Sequence, residues 1–576
     1  MTHGAEGPSS ASTTSVDALE SGRSSSKNLG GEKSETPTLL VTEAHDEGVV
    51  IKSLEDIREP SLDPRVHLDA DSRPDDEELD AGLFRRASQL STKAGQTDSL
   101  SEKGKGREEP IYIEFEPGSP KNPANFSKRK KWTITAIACF ATLLASSTSS
   151  TYNMGFGSMI RDLHCTDLEA TTGLSVYALG FGLVPLVSAS FSEEFGRLPL
   201  YYGSGVIFLL MYMMIALSKH IQTVIIARLI QGAAGSTGST MVGGTIADIW
   251  APKERGLPMS IFAVVAVGGT GLGPVYAGWI EMNPNLEWRW IQWIQMIICG
   301  LFIVLLPFTM SETRASILLT RIAKKMRKET GNHRYRARVE DERANLRTLI
   351  WISCTRPIYL MFTELVVSSF SLWIGFAWGV TYCMIESVAG EFRDLHKFTI
   401  GEIGTVFLTM VVGSILGYAS NIYQERLYQK NFPKRGPEAR LYMACFAAVL
   451  FPIGMFIYAW SSFSHVHWIG LAVGLTVFMW AVFIIYLAVF SYLADCYGPF
   501  ASSALAGQSL ARNLSATAFP LFTKQMFRAL HYKWANTLFG CIAAVMVPIP
   551  FILFFYGPSI RLRSKFSRAV LEAEKQ

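Results

Sequence analysis

From Leu257 to Ile280 the chain carries no charge, and inside that run stands Gly268-Gly-Thr-Gly-Leu-Gly-Pro274-Val-Tyr-Ala-Gly278. In a soluble helix each glycine costs about 1 kcal/mol relative to alanine, and proline costs more. A bilayer changes the balance. Small residues let helix backbones approach closely, and neighbouring helices re-satisfy a backbone that proline has broken. The run therefore predicts a membrane helix that is kinked and tightly packed.

A spanning helix needs about 20 apolar residues to cross roughly 30 Å of hydrocarbon. Twelve such stretches are read, near 133–154, 171–191, 200–218, 222–248, 257–280, 289–310, 358–384, 401–421, 441–461, 467–492, 501–523 and 534–556. The chain is 49% hydrophobic and only 18% charged, although its first 130 residues are polar. The expected class is an all-α integral membrane protein. The first apolar run begins after Trp132, so no cleaved leader is expected.

Orientation follows from the basic loops. Lys128-Arg-Lys-Lys131 precedes span 1, Arg197 follows span 2, and Lys253 and Arg255 follow span 4. Between Arg314 and Arg347 there are eleven Lys/Arg against four Asp/Glu, and Arg561, Arg563, Lys565 and Arg568 follow span 12. By the positive-inside rule these segments and both termini are cytosolic. Lys524, Arg528 and Lys533 dissent, standing before span 12 on the expected outer side. The net charge of +4 is thus a matter of topology and anionic lipid contact, not of nucleic acid. The eight cysteines have no metal-ligand spacing, and no metal or cofactor is expected.

The expected organisation is a disordered cytosolic tail (1–130), a first six-helix bundle (131–310), a cytosolic central loop (311–357), a second bundle (358–557) and a short tail (558–576). The first tail is rich in Ser, Gly and acidic residues and offers Ser24–Ser26 and Arg85–Ser88 as phosphorylation candidates. Asn125 and Asn513 match a glycosylation pattern but lie in cytosolic and membrane segments. Residues 315–328 pattern as an interfacial amphipathic helix, with Ile317, Leu318, Ile322 and Met326 on one face. Six spans on either side of a loop suit two bundles rocking about a central site.

Several short signatures occur in order along the chain. They are Pro120-Lys-Asn-Pro-Ala-Asn-Phe-Ser127, Phe191-Ser-Glu-Glu-Phe-Gly-Arg197, Arg228-Leu-Ile-Gln-Gly232, the glycine run above and Trp288-Arg-Trp290. Gly436-Pro-Glu-Ala-Arg440, Tyr492-Leu-Ala-Asp-Cys-Tyr-Gly-Pro499, Pro548-Ile-Pro550 and Tyr556-Gly-Pro558 follow. Together they resemble the fungal major facilitator transporters of the twelve-span drug:proton antiporter family, in the branch of polyamine and drug exporters. The resemblance spans Pro117 to Phe566 and departs from the family pattern at Ala189, Glu193, Ala277 and Leu365. It implies twelve helices in two six-helix bundles, export directed by the span 5 glycines, and a cytosolic latch between bundles built on Glu193, Gly196 and Arg197. It also implies that Arg228 belongs to a proton-coupling motif.

Charges inside spans are functional candidates because hydrocarbon penalises them by several kcal/mol. Arg228 and Gln231 lie in span 4, and Arg512 and Asn513 in span 11. Glu364, read as two turns into span 7, is the best carboxylate for proton coupling and a possible partner of Arg512; Glu402 is second. Each has an alternative role as a packing lock. Gly269, Gly273, Pro274 and Gly278 are expected to shape a leak-proof interface. Tyr177, Phe181, Trp373, Phe376, Trp378, Tyr382, Phe478 and Trp480 are candidate cavity aromatics, fitting an amphiphilic cargo.

The expectation is a secondary active exporter of a secondary metabolite, such as a secreted glycolipid, or of a drug. Polyamine or organic-acid transport is the alternative, and a carrier-fold nutrient sensor is the alternative of another class. An enzyme is disfavoured because all ten histidines fall in the tail or in loops near span ends, and a nucleotide-driven pump because no phosphate-binding Gly-rich loop occurs. Expected partners are a small-molecule substrate, protons and membrane lipid, with the chain a monomer in the plasma membrane.

Overall fold

A computed structural model describes residues 49–52, 110–251, 254–342, 346–564 and 566–568. Ser24–Ser26, Arg85–Ser88, Lys253 and Lys565 lie outside the described residues. The first half comprises α1 (Lys128–Met154), α2 (Phe156–Leu163), α3 (Asp167–Leu183), α4 (Pro185–Phe195), α5 (Arg197–Ala216), α6 (Ile221–Ile249), α7 (Gly256–Glu281) and α8 (Glu287–Thr309). An insert follows with α9 (Ala315–Thr330) and α10 (Arg338–Glu342). The second half comprises α11 (Leu346–Thr363), α12 (Leu365–His396), α13 (Ile400–Val406), α14 (Leu408–Arg435), α15 (Tyr442–Ser461), α16 (Ile469–Tyr497), α17 (Ala501–Met546) and α18 (Pro548–Arg563).

Among the described residues eight helical stretches are long and apolar enough to cross a membrane, or nine with the pair α3 and α4, which is bent by 45°. Two of the eight run for 62 and 63 residues. At 1.5 Å per residue each would measure about 90 Å, some three bilayers, if straight. Each contains a turn instead. One is the 3-10 segment Gly436–Leu441, entered through Gly436 at φ +61°; the other is His531 at φ +60°, ψ 161°. α6 is 29 residues long but rich in Gly, Ser and Thr, and it buries Arg228 and Gln231. A helical segment thus lies at each of the twelve positions read from the sequence. Leu372, Ile297, Val304, Phe308, Val545 and Phe555 stand exposed on the outer flanks, a belt for lipid tails.

Three boundaries differ from the sequence reading. The first tail is structured where it nears α1: β2 (Ile111–Phe115) pairs antiparallel with β1 (Val49–Lys52) and parallel with β3 (Tyr335–Arg336) of the central insert. The amphipathic face of α9 packs beneath this sheet, where Ala323 and Met326 join Ile113 and Tyr335 in a small buried core. That apolar face meets protein, not the membrane interface.

The third difference is span 7. Glu364 has extended backbone angles (φ −99°, ψ 108°) and separates α11 from α12. The apolar sequence runs on through this break because the Ser368 hydroxyl donates to the Met361 carbonyl at 2.6 Å, satisfying an acceptor the helix has lost. The membrane helix therefore starts at Leu365, and α11 packs beside α4 through a Ser190–Ser353 hydroxyl contact of 2.8 Å.

Candidate functional site

The glycines of α7 serve two faces. A Cβ at Gly273 would stand 2.6 Å from the Ser147 carbonyl oxygen of α1, and one at Gly269 would stand 3.0 Å from Ser146. On the other face, a Cβ at Gly271 would meet the Phe407 carbonyl at 2.8 Å, and one at Gly278 the Ile400 carbonyl at 2.5 Å. Pro274 closes the second contact, since its carbonyl faces Gly404. α7 is thus a wedge between its own bundle (α1) and the other (α13 and α14). At Gly271, Gly273 and Gly278 the nearest obstacle is a backbone carbonyl, which does not yield as a flexible side chain would.

α3 and α17 form another contact between bundles. Gly182 leaves room for Asn513, whose Cβ would lie 2.7 Å from a Cβ at that glycine. The Asn513 amide itself is turned to its own helix, donating to the Ser509 carbonyl at 2.8 Å.

Between these contacts lie the two buried arginines. Arg228 is fully buried between the rings of Tyr152 and Tyr177, each 4.3 Å from the guanidinium carbon. Its Nη1 donates to the Thr148 carbonyl (3.1 Å) and to Gln231 Oε1 (3.0 Å), and its Nε to the Gly173 carbonyl (3.3 Å). Its Nη2 has no partner, nor has the Gln231 amide nitrogen. Both carbonyl acceptors are peptide groups of neighbouring helices, so the charge is held by dipoles and aromatic faces.

Arg512 is held differently. It is 9% exposed and lies over Trp378 (4.7 Å) and Tyr486 (5.2 Å), with its Nε unpartnered. Glu364 is not its partner; that carboxylate accepts from the Tyr497 hydroxyl at 3.1 Å, at the start of α12. Each bundle thus buries one arginine among aromatic rings, Arg228 in the first and Arg512 in the second. Of the other aromatics proposed from sequence, Trp373 and Phe376 are buried within the second bundle, Phe376 against Phe451, Phe519 and Phe539.

Gly196 and Arg197 are tied to the first half and to the segment just after α8. Arg197 Nε pairs with Asp248 at 2.7 Å and its Nη1 donates to the Met241 carbonyl at 3.0 Å. Glu312 accepts the backbone N–H groups of Arg197 and Leu198, an anion at the positive start of α5. Glu193 pairs with Arg314 at 3.3 Å. Gly196 is required by its φ of +90° and because Glu312 fills the space a side chain would need. The second half repeats the pattern: Arg440 pairs with Asp495 (2.9 Å) and Arg561 with Glu438 (2.8 Å).

At the end of the bundles away from the central insert, the expected outer end, the halves leave a cavity of about 530 Å³, lined by Asn153, Phe156 and Asp167 of the first half and Glu386, Arg393 and Lys524 of the second. Lys524 pairs with Asp167 at 2.9 Å and approaches Glu386 at 3.8 Å. Glu386 accepts from Thr171 at 2.9 Å, and Asn153 donates to the Ile385 carbonyl at 2.5 Å. Sequence reasoning missed this cluster. Lys524 and Arg528 were its visible signal, as outer basic residues against the topology; their acidic partner Asp167 lies far away in sequence. Glu402, the second carboxylate candidate, caps α13 with Thr399 and is exposed.

The Major Facilitator Superfamily profile matches residues 138–499. The citrinin biosynthesis cluster MFS transporter of Monascus ruber is 31% identical, over 85% of this chain and 99% of its own length. The Major facilitator superfamily multidrug transporter FLU1 of Candida albicans is 30% identical, over 88% of this chain and 87% of its own. Among solved structures, a D-xylose–proton symporter superposes with a TM-score of 0.53 at 15% identity, covering 73% of this chain and 97% of that one.

Proposed function

This chain belongs to the Major Facilitator Superfamily, and on that premise we propose that it is a secondary active exporter of a drug-like compound or secondary metabolite, working by alternating access. It is a multi-pass membrane protein. The observation that carries the mechanism is the α7 wedge, whose glycines seat one face on α1 and the other on α13 and α14. Close contacts of small residues slide over one another without opening a water path, as a carrier must when its bundles rock. Relatives named as multidrug and biosynthesis-cluster transporters support export as the direction. The chain acts as a carrier, not an enzyme or a sensor.

The driving force in this reading is the proton gradient. Arg512 is the substrate-facing charge, Arg228 and Gln231 set the field and shape of the first bundle, Asn513 sits at the bundle contact, and Glu364 and Glu386 are the carboxylates that exchange protons at the cytosolic and outer ends. The cytosolic arginine pairs at Arg197 and Arg440 hold each bundle rigid. The chain works as a monomer in the plasma membrane, with lipid around it and both termini in the cytosol. Inside-out vesicles test the coupling: uptake requires an acidic interior and collapses with an uncoupler. Uptake that survives dissipation of the gradient would defeat it.

A further inference from the structure

We infer that Arg512, set over the rings of Trp378 and Tyr486, is the binding group for an organic anion, a compound with a carboxylate or equivalent acid carried on an aromatic body. The inference rests on the carrier reading above and names its substrate class.

Among the described residues, neither the Arg228 nor the Arg512 guanidinium forms an ion pair with a carboxylate. The nearby acids are engaged elsewhere: Glu364 with Tyr497, Glu386 with Thr171 and Lys524, and Glu391 with the Asn536 amide at 2.6 Å. An arginine cannot shed its proton in a protein, so both keep their positive charge. A buried ion without a counter-ion costs several kcal/mol even after relaxation. For Arg228 that cost is offset by three acceptors and two tyrosine rings. For Arg512 only the two rings are present, and no hydrogen bond from it to a protein acceptor exists among the described residues.

The unpartnered atom agrees in kind. Arg512 Nε is a buried donor left without an acceptor. A planar anion supplies what it lacks, since guanidinium and carboxylate geometries match. One buried acceptor is also unpartnered: Gln508 Oε1, one helical turn before Arg512 on α17. It suits a hydroxyl or amide N–H beside the acid. Trp378 and Tyr486 provide the flat surfaces against which an aromatic ring packs. A polycation would meet repulsion from Arg512.

The test compares three probes sharing one ring body, 2-naphthoate, 2-naphthamide and protonated 2-naphthylmethylamine, against the full chain in nanodiscs by equilibrium dialysis. No gradient is applied, so the result is independent of whether export or proton coupling holds. The expected result is naphthoate bound at least tenfold more tightly than the amide, with the cation weaker than both. Arg512→Gln should remove that tenfold preference of acid over amide, and Arg512→Lys should restore part of it. Absence of naphthoate binding, equal binding of acid and amide, or an unchanged acid preference in Arg512→Gln would each overturn the inference. A thermal unfolding curve on each variant confirms that the compared proteins are folded. Vesicle uptake that fails for every compound would overturn the export reading and leave an observed acid preference standing.

Discussion

The two bundles hold their central arginines in opposite ways, and the difference separates a fixed charge from an available one. Arg228 is sealed by peptide carbonyls, Gln231 and two tyrosine rings, and no part of it reaches solvent. Arg512 is braced by rings alone and retains slight exposure. A charge tied to its own scaffold sets the local field and shape; one with free donors can exchange partners as the bundles move. In the proposed reading the first bundle supplies the frame of the site, and the second supplies the group that engages and releases cargo.

The largest expected effect lies where the bundles touch. Gly273→Leu places a side chain against the Ser147 carbonyl, and export should fall at least about twentyfold with protein still in the membrane. Gly203→Leu is the control, because a Cβ there meets nothing within 4 Å and export should be unchanged. Measurement of export per surface molecule in the pair distinguishes lost packing from general intolerance of bulk.

Arg228→Gln comes next. It strands acceptors on two neighbouring helices, and buried hydrogen bonds to a charged donor are each worth about 1.5–3 kcal/mol. The melting temperature should drop by several degrees, whereas Arg512→Gln should leave it nearly unchanged. Similar losses in the two variants would erase the contrast between the bundles.

The outer cluster should give the smallest effects. Thr171→Val removes the donor that crosses the halves to Glu386, at a cost of about 1–3 kcal/mol to the closed outer end. Lys524→Ala removes a partly exposed pair with Asp167, worth under about 1 kcal/mol in solvent. Both should raise the labelling rate of a cysteine introduced at Asn153, Thr171→Val the more. No increase in either would separate this cluster from outer closure.

The parts legible in sequence were those written in local pattern. Hydropathy located the membrane segments, and glycine density around Pro274 identified the helix that packs most closely. Charge within apolar runs singled out Arg228 and Arg512. Partnership was not legible, because it joins residues tens to hundreds of positions apart. Asp167 and Lys524 are one such pair, and Arg197 with Asp248 another. Glu364 was misplaced because the apolar run continues through its helix break; Leu365 gives no proline signal and Ser368 repairs the backbone. Strand β2 was hidden in a polar tail because its partners lie partly in the central insert.

The account turns on Arg512 as a residue that acts on cargo and not on folding. Export normalised to surface protein, measured for wild type, Arg512→Lys and Arg512→Ala with an exported aromatic acid, tests this most directly. The account predicts near-wild-type surface levels in all three, intermediate transport per molecule for lysine and loss of at least about tenfold for alanine. Low surface level with normal transport per molecule in Arg512→Ala would contradict it and make Arg512 a packing lock.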